Sequence, residues 1–135
     1  LSSSQKGQQS LSNLVQTMES ISRSALASGQ QQQLWIDLDS QKYWITQDAA
    51  SLQPGEEPEE ANLIPEQLWL YQMITAAGRF TSGTVSLNFF PDGTRDFALL
   101  HLREVNTDKF YTIFLNPCSP SIRLLAREIY YDETL

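Results

Sequence analysis

Near the N-terminus, apolar residues recur at three- and four-residue steps, and this pattern constrains the chain more than any other feature. Leu11, Leu14, Val15, Met18, Ile21, Ser22, Ala25 and Leu26 follow that spacing. Wound at about 3.6 residues per turn, they line one stripe. Asn13, Gln16, Glu19, Ser20, Arg23 and Ser24 fill the rest of the circumference. Gly29 offers the left-handed residue on which helices end. The spacing predicts a helix over residues 10–28 with a packing face of Leu11, Leu14, Val15, Met18, Ile21, Ala25 and Leu26. The small residues Ala25 and Ala27 allow its last turns to approach a sheet closely. Residues 1–10, LSSSQKGQQS, are a polar start, either frayed or the beginning of that helix.

A helix with one apolar stripe needs a surface to bury it on, and the rest of the chain offers strands. In LWIDLDSQKYWIT, residues 34–38 and 43–46 are strand-like runs separated by Asp39 and Ser40, a hairpin pattern. Residues 47–62 form a long acidic loop carrying Pro54, Gly55, Pro58, Glu56, Glu57, Glu59 and Glu60. Consecutive glutamates without Asp-x-Asp spacing or a supporting turn glycine suit calcium poorly, so the loop reads as solvated. Residues 63–75 are apolar and ambiguous: Pro65 excludes a continuous helix, and LWLYQMI is compatible with a buried strand. Val85, Leu87 and Phe89 then alternate with Ser86 and Asn88, PDGT turns, DFALLHLREV returns, and NTDK turns again into FYTIFLNP. Three consecutive antiparallel strands, a meander, are expected. The tail SIRLLAREIYYDE fits a strand (Ile122, Leu124, Ala126) or a short helix (Ile122, Leu125, Ala126, Ile129). Ile129, Tyr130 and Tyr131 favour the strand. The expected architecture is α+β: one amphipathic N-terminal helix on antiparallel β-sheet built from hairpins over residues 33–135.

A chain of 135 residues with 41% hydrophobic content can bury a core without metal or disulfide staples. Its net charge of −7 repels phosphate backbones, and Arg95, Arg103, Arg123 and Arg127 are scattered, so no nucleic-acid partner is expected. Cys118, the only cysteine, lies between prolines in NPCSP and reads as a semi-buried loop residue. The only histidine, His101, sits between Leu100 and Leu102 and reads as a structural strand residue. Asp37 with Asp39, and Asp92 with Asp96, flank turns, where aspartate is favoured for backbone reasons. Arg79, after Gly78 and just before a strand, reads as a surface residue. No glycine-rich phosphate loop and no zinc-ligand spacing occur. The residues point to no catalytic site, cofactor or metal. No apolar run reaches the ~20 residues of a membrane span, and no signal-peptide pattern is present.

The order of these parts resembles the GspH/FimT family of minor pseudopilins. The resemblance is carried by SISRSALASGQ at the helix end, with Arg23 and Ala25, and by SGTVSLNFFPDGT, with its hairpin motif Phe89, Phe90, Pro91, Asp92 and Gly93. LWIDLDSQKYWI and YTIFLNPCSPSIRLL extend it over about residues 10–125. It implies a pilin-like fold and a non-enzymatic subunit of the type II secretion pseudopilus, with other major and minor pseudopilins as partners. It further implies an inner-membrane anchor by an apolar helix upstream of Leu1, with this domain in the periplasm. The polar start would then be a cut through a longer helix. A minor type IV pilin, or a ligand-binding or enzymatic α+β domain, are the alternative expectations.

Overall fold

A computed structural model describes residues 3–47, 58–119 and 121–130. The helix α1 spans Ser3–Ser28, starting well before residue 10, so the polar LSSSQKGQQS segment is helical from Ser3. Gly29 terminates it with φ of 68°, its N–H donating to Ala25 O at 3.0 Å.

Nine strands follow: β1 (Gln32–Asp37), β2 (Lys42–Gln47), β3 (Asn62–Leu63), β4 (Leu68–Thr75), β5 (Gly78–Phe80), β6 (Thr84–Phe89), β7 (Ala98–Glu104), β8 (Phe110–Leu115) and β9 (Arg123–Leu125). They form a four-stranded sheet, β3-β2-β1-β6, and a five-stranded sheet, β5-β4-β7-β8-β9, with all pairings antiparallel. The fold is therefore α+β, one helix packed against antiparallel sheets. Most of the expected acidic loop, residues 48–57, lies outside the described residues, and its two ends are strand: Gln47 closes β2 and Asn62 opens β3.

Two strand expectations change. The meander over β6, β7 and β8 is not formed, because β6 pairs with β1 while β7 pairs with β4 and β8. The PDGT hairpin holds only a single bridge, Phe89 with Arg95. Beyond it the Asp96 carboxylate accepts from the Asn88 N–H at 2.7 Å. That bond uses a donor a longer hairpin would need, and the chain crosses to the other sheet. The tail makes only the three-residue β9; residues 126–130 then fold back over the outer face of the five-stranded sheet without regular structure. Tyr131 lies outside the described residues.

The main core lies between the sheets and α1. Leu11, Leu14, Met18, Ile21 and Ala25 meet Leu34, Ile36, Leu70, Met73, Leu87, Phe89, Leu100, Leu102 and Ile113, all buried. On the opposite face of the five-stranded sheet, Leu99, Phe114 and Ile129 form a second cluster flanked by Ile74, Phe97 and Leu125. A bulge in β4 explains how that face is furnished: Leu70 pairs with Leu102, but Gln72 pairs with His101. The extra residue turns both Tyr71 and Gln72 outward, opposite His101.

Candidate functional site

Two features were expected to carry function, and they meet at the helix. Of the expected packing face, Leu11, Leu14, Met18, Ile21 and Ala25 are buried and Val15 is half-buried against the core. Leu26 departs from the expectation: it is 61% exposed. In the final turn Ala25 occupies the inward position, and the next residue is rotated about 100° away from it. Serine, asparagine, glutamine and arginine side chains at positions 13, 16, 20, 23 and 24 leave the opposite face polar and open to solvent.

The FFPDGT hairpin supports that helix from below. Phe89 is fully buried, Phe90 is half-buried, and Pro91 and Asp92 project into solvent. Gly93 closes a four-residue turn, donating to Phe90 O at 3.1 Å, and takes φ of 92°. Phe90 in turn donates to Thr94 O at 2.9 Å. Pro91 presets the turn and Gly93 takes the positive φ that a side chain would resist. The Asp92 carboxylate accepts from Thr94 N at 2.9 Å and Thr94 Oγ1 at 2.6 Å, and these bonds hold it below the usual carboxylate range.

The hairpin also delivers Arg95, which the sequence pattern left as one of four scattered arginines. Arg95 is buried. Its Nη1 donates to Ser22 Oγ on α1 at 2.9 Å, and its Nη2 donates to Ser119 O and Ser121 O. Burial pulls the guanidinium below its ordinary value, and the nearby Glu19 carboxylate opposes that shift. Glu19 also accepts from Ile122 N at 3.4 Å. One planar cation on the hairpin thus joins the helix at Ser22 to the backbone at Ser119 and Ser121.

At the other end of α1, Gly7 lets the helix press on β7. A side chain at Gly7 would overlap Glu104, whose Oε1 would lie 2.1 Å from the added carbon. Gln8 Nε2 donates to Tyr111 Oη at 2.8 Å, and Ser10 Oγ donates to Gln67 Oε1 at 3.0 Å. The helix is therefore fastened to the sheets at both ends by polar contacts, and between them by apolar ones.

The residues weighed for chemistry serve structure. His101 is fully buried, with Nδ1 2.8 Å from Gln72 Oε1 and Nε2 2.6 Å from Ile129 O. Tyr71 stacks on its ring and Tyr130 meets it edge-on. Glu128 accepts from the hydroxyls of Tyr130 and Tyr71, which holds its carboxyl below the ordinary glutamate range; burial and Glu128 push the Tyr71 phenol well up. Arg79 is exposed, as expected of a surface residue, and its guanidinium lies over the Tyr130 ring at 5.5 Å. Asp37 caps the turn before β2 by accepting from Asp39 N and Ser40 N, and Asp39 accepts from Gly83 N. Cys118 is exposed, not semi-buried: its loop turns outward as Cys118 N donates to Asn116 Oδ1 at 2.9 Å. Among the described residues no cluster of three or more His, Cys, Asp or Glu is placed to hold a metal ion. No helix among them is long and apolar enough to cross a membrane.

One N-terminal helix fastened along two antiparallel sheets is the pilin-like α+β architecture. Within that class the fold is similar to the minor pseudopilin EpsH from the Type 2 Secretion System of Vibrio cholerae, with a TM-score of 0.64 at 16% identity. That match covers 92% of this chain and 98% of that one. A crystal structure of EpsH from the same secretion system gives 0.62 at 17% identity, covering 88% and 92%. No protein-family model and no curated protein sequence matches the chain.

Proposed function

We propose that this chain is a non-enzymatic structural subunit, a minor pseudopilin of a type II secretion pseudopilus, which works by assembling with other pseudopilins. The observation that carries this reading is the EpsH-like fold over nearly the whole of both chains. The polar fastening at both ends of α1 supports it. A subunit that transmits its position along a filament needs its globular part held rigidly on the helix, and Arg95, Gln8 and Ser10 provide such attachments. In this reading the domain stands in the periplasm, anchored to the inner membrane by an apolar continuation of α1. Residues 3–28 are the part of that helix belonging to the domain, since Gly7, Gln8 and Ser10 already meet the sheets. The face Leu11, Leu14, Val15, Met18, Ile21 and Ala25 then orients the sheets relative to the filament axis, and the Phe89–Gly93 hairpin braces it.

The test is genetic and chemical together. Deleting the gene in its native host should abolish export of type II substrates, and the full-length gene should restore it. Single cysteines at Gln16 and Ser20, on the solvent side of α1, should crosslink to other pseudopilins of that host. Normal export with no such crosslinks would sink the proposal. Lost surface pili with export intact would assign the chain to a type IV pilus instead.

A further inference from the structure

The outer face of the five-stranded sheet is divided. Residues 126–130 cover one part, where Ile129 seals Leu99 and Phe114 and Thr112 Oγ1 donates to Arg127 O at 2.8 Å. The remainder is open, and there the register aligns Trp69 with Arg103 on β7 and Arg103 with Phe110 on β8. Three adjacent strands thus present one row on one face: aromatic, cation, aromatic. Trp69 is 43% exposed and Phe110 37%. Tyr71 holds the Phe110 ring in place edge-on at 5.9 Å and 89°. Among the described residues the Arg103 side chain makes no hydrogen bond, ion pair or ring contact.

Single exposed aromatics are ordinary on a protein surface. Two of them flanking an unengaged arginine are different, because tryptophan, tyrosine and arginine are the residues that dominate binding energy at interfaces. Arg103 offers a planar fork that fits a carboxylate bidentately, and the neighbouring rings would exclude water from that pair. Beside the row, Lys109, whose Nζ lies 4.0 Å from Glu104 Oε2, and Arg127 line an adjoining open cleft of about 720 Å³. The cleft also holds two carboxylates, Asp108 and Glu128, the latter accepting from two tyrosine hydroxyls. On a chain of net charge −7 this is an aromatic surface centred on one exposed, unengaged arginine side chain.

Spacing selects the occupant. Neighbouring strands lie about 4.8 Å apart, so the three positions step at about 4.8 Å across the sheet. Residues i, i+3 or i+4, and i+7 on one face of an α-helix step at about 5 Å along its axis. The geometry points to a docking surface for an amphipathic helix of a partner protein, lying across β4, β7 and β8. Apolar residues at i and i+7 rest on Trp69 and Phe110, and a carboxylate at i+3 or i+4 pairs with Arg103. This inference stands apart from the secretion reading, since it concerns the outer sheet face and not α1.

The probe is a capped, alanine-rich helical peptide with Leu at i and i+7 and Glu at i+3 and i+4, titrated into the isotope-labelled protein. Its counterpart carries Gln in place of Glu. Saturable NMR shifts centred on the amides of Trp69, Arg103 and Phe110 are expected. Binding should weaken at least about tenfold for the Gln peptide, for Arg103→Gln and for Trp69→Ala. Arg103 is exposed, so Arg103→Gln should melt like the parent and keep the test interpretable if Trp69→Ala does not fold. The proposal is overturned by the absence of saturable shifts, or by equal binding of Arg103→Gln or of the Gln peptide. It is also overturned if a single-stranded oligothymidine takes this face in the peptide's place, or if the protein self-associates through it and Trp69→Ala abolishes that association.

Discussion

Gln41 shows how much of this fold rests on single side chains. It sits at φ of 57° in the turn between β1 and β2 and is buried. Its amide meets Leu70 as a second strand would: Nε2 donates to Leu70 O at 2.9 Å, and Oε1 accepts from Leu70 N at 2.9 Å. Nε2 also donates to Leu38 O, and Gln41 O accepts from Ile64 N. One side chain therefore caps the edge of β4 and joins the two sheets. Gln41→Ala leaves the Leu70 N–H and C=O buried without partners. It is expected to cost about 2–6 kcal/mol in urea unfolding, at ~1–3 kcal/mol for each of the two orphaned groups. A loss under ~0.5 kcal/mol would show that water replaces the amide. Arg95 is the second such residue, and Arg95→Lys, which keeps the charge but not the fork, should lower the melting temperature measurably. Neither role is legible in the sequence. Gln41 follows turn-forming residues, and Arg95 follows a turn; their burial comes from segments far away in the chain. The one local signal was Gly7, a residue unfavourable within a helix, whose reason appears only when Glu104 is seen against it.

Among the elements, α1 and the tail behave differently. The helix stripe was readable because burial follows its period. Met18→Ala is expected to cost about 2–5 kcal/mol, while Leu26→Ala should fall within ~0.5 kcal/mol, both by denaturant titration. Removing residues 10–28 should unfold the domain, and a cooperative, native-like melt without them would refute the packing of helix on sheet. The β1–β2 and β7–β8 hairpins were also readable, since their strands pair with sequence neighbours through turn residues. The pairing of β6 was not. Alternation marks a strand but does not say which sheet receives it, and β6 goes to β1. The tail was readable only in part, for a related reason: the favoured strand forms as β9, but residues 126–130 take their shape from His101, Thr112 and Tyr71, not from local propensity. Its docking should depend on pH. The Glu128 carboxyl is held below its ordinary value of 4.5, so its contribution is full above that pH and lost as pH falls through the lowered value. The Tyr71 phenol is raised from 10.0, so its contribution is full below pH 10 and lost as pH climbs through the raised value. Hydrogen exchange at the Ile129 amide, which donates to Thr112 Oγ1 at 3.0 Å, should therefore accelerate beyond its intrinsic pH dependence at both extremes. A flat corrected profile would remove Glu128 and Tyr71 from the latch.

For the whole molecule, the crossing of the chain between sheets after the FFPDGT turn has a consequence in time. The β1–β2 hairpin is local and can close in microseconds. Its other neighbour, β6, arrives only after β2 to β5 have been accommodated, so the free flank of β1 waits on a long loop closure. Chains dominated by such distant pairings fold in milliseconds to seconds. Joining β6 to β1 is the expected slow step, and Leu87→Ala on β6 should retard refolding more than it speeds unfolding. Until that step the flank of β1 is an unpaired template on which a second nascent chain can add. Refolding yield should accordingly fall as protein concentration rises, even though short strands close three of the four sheet edges in the finished molecule: β3, β5 and β9 have two, three and three residues, and only β6, with six, is a longer edge.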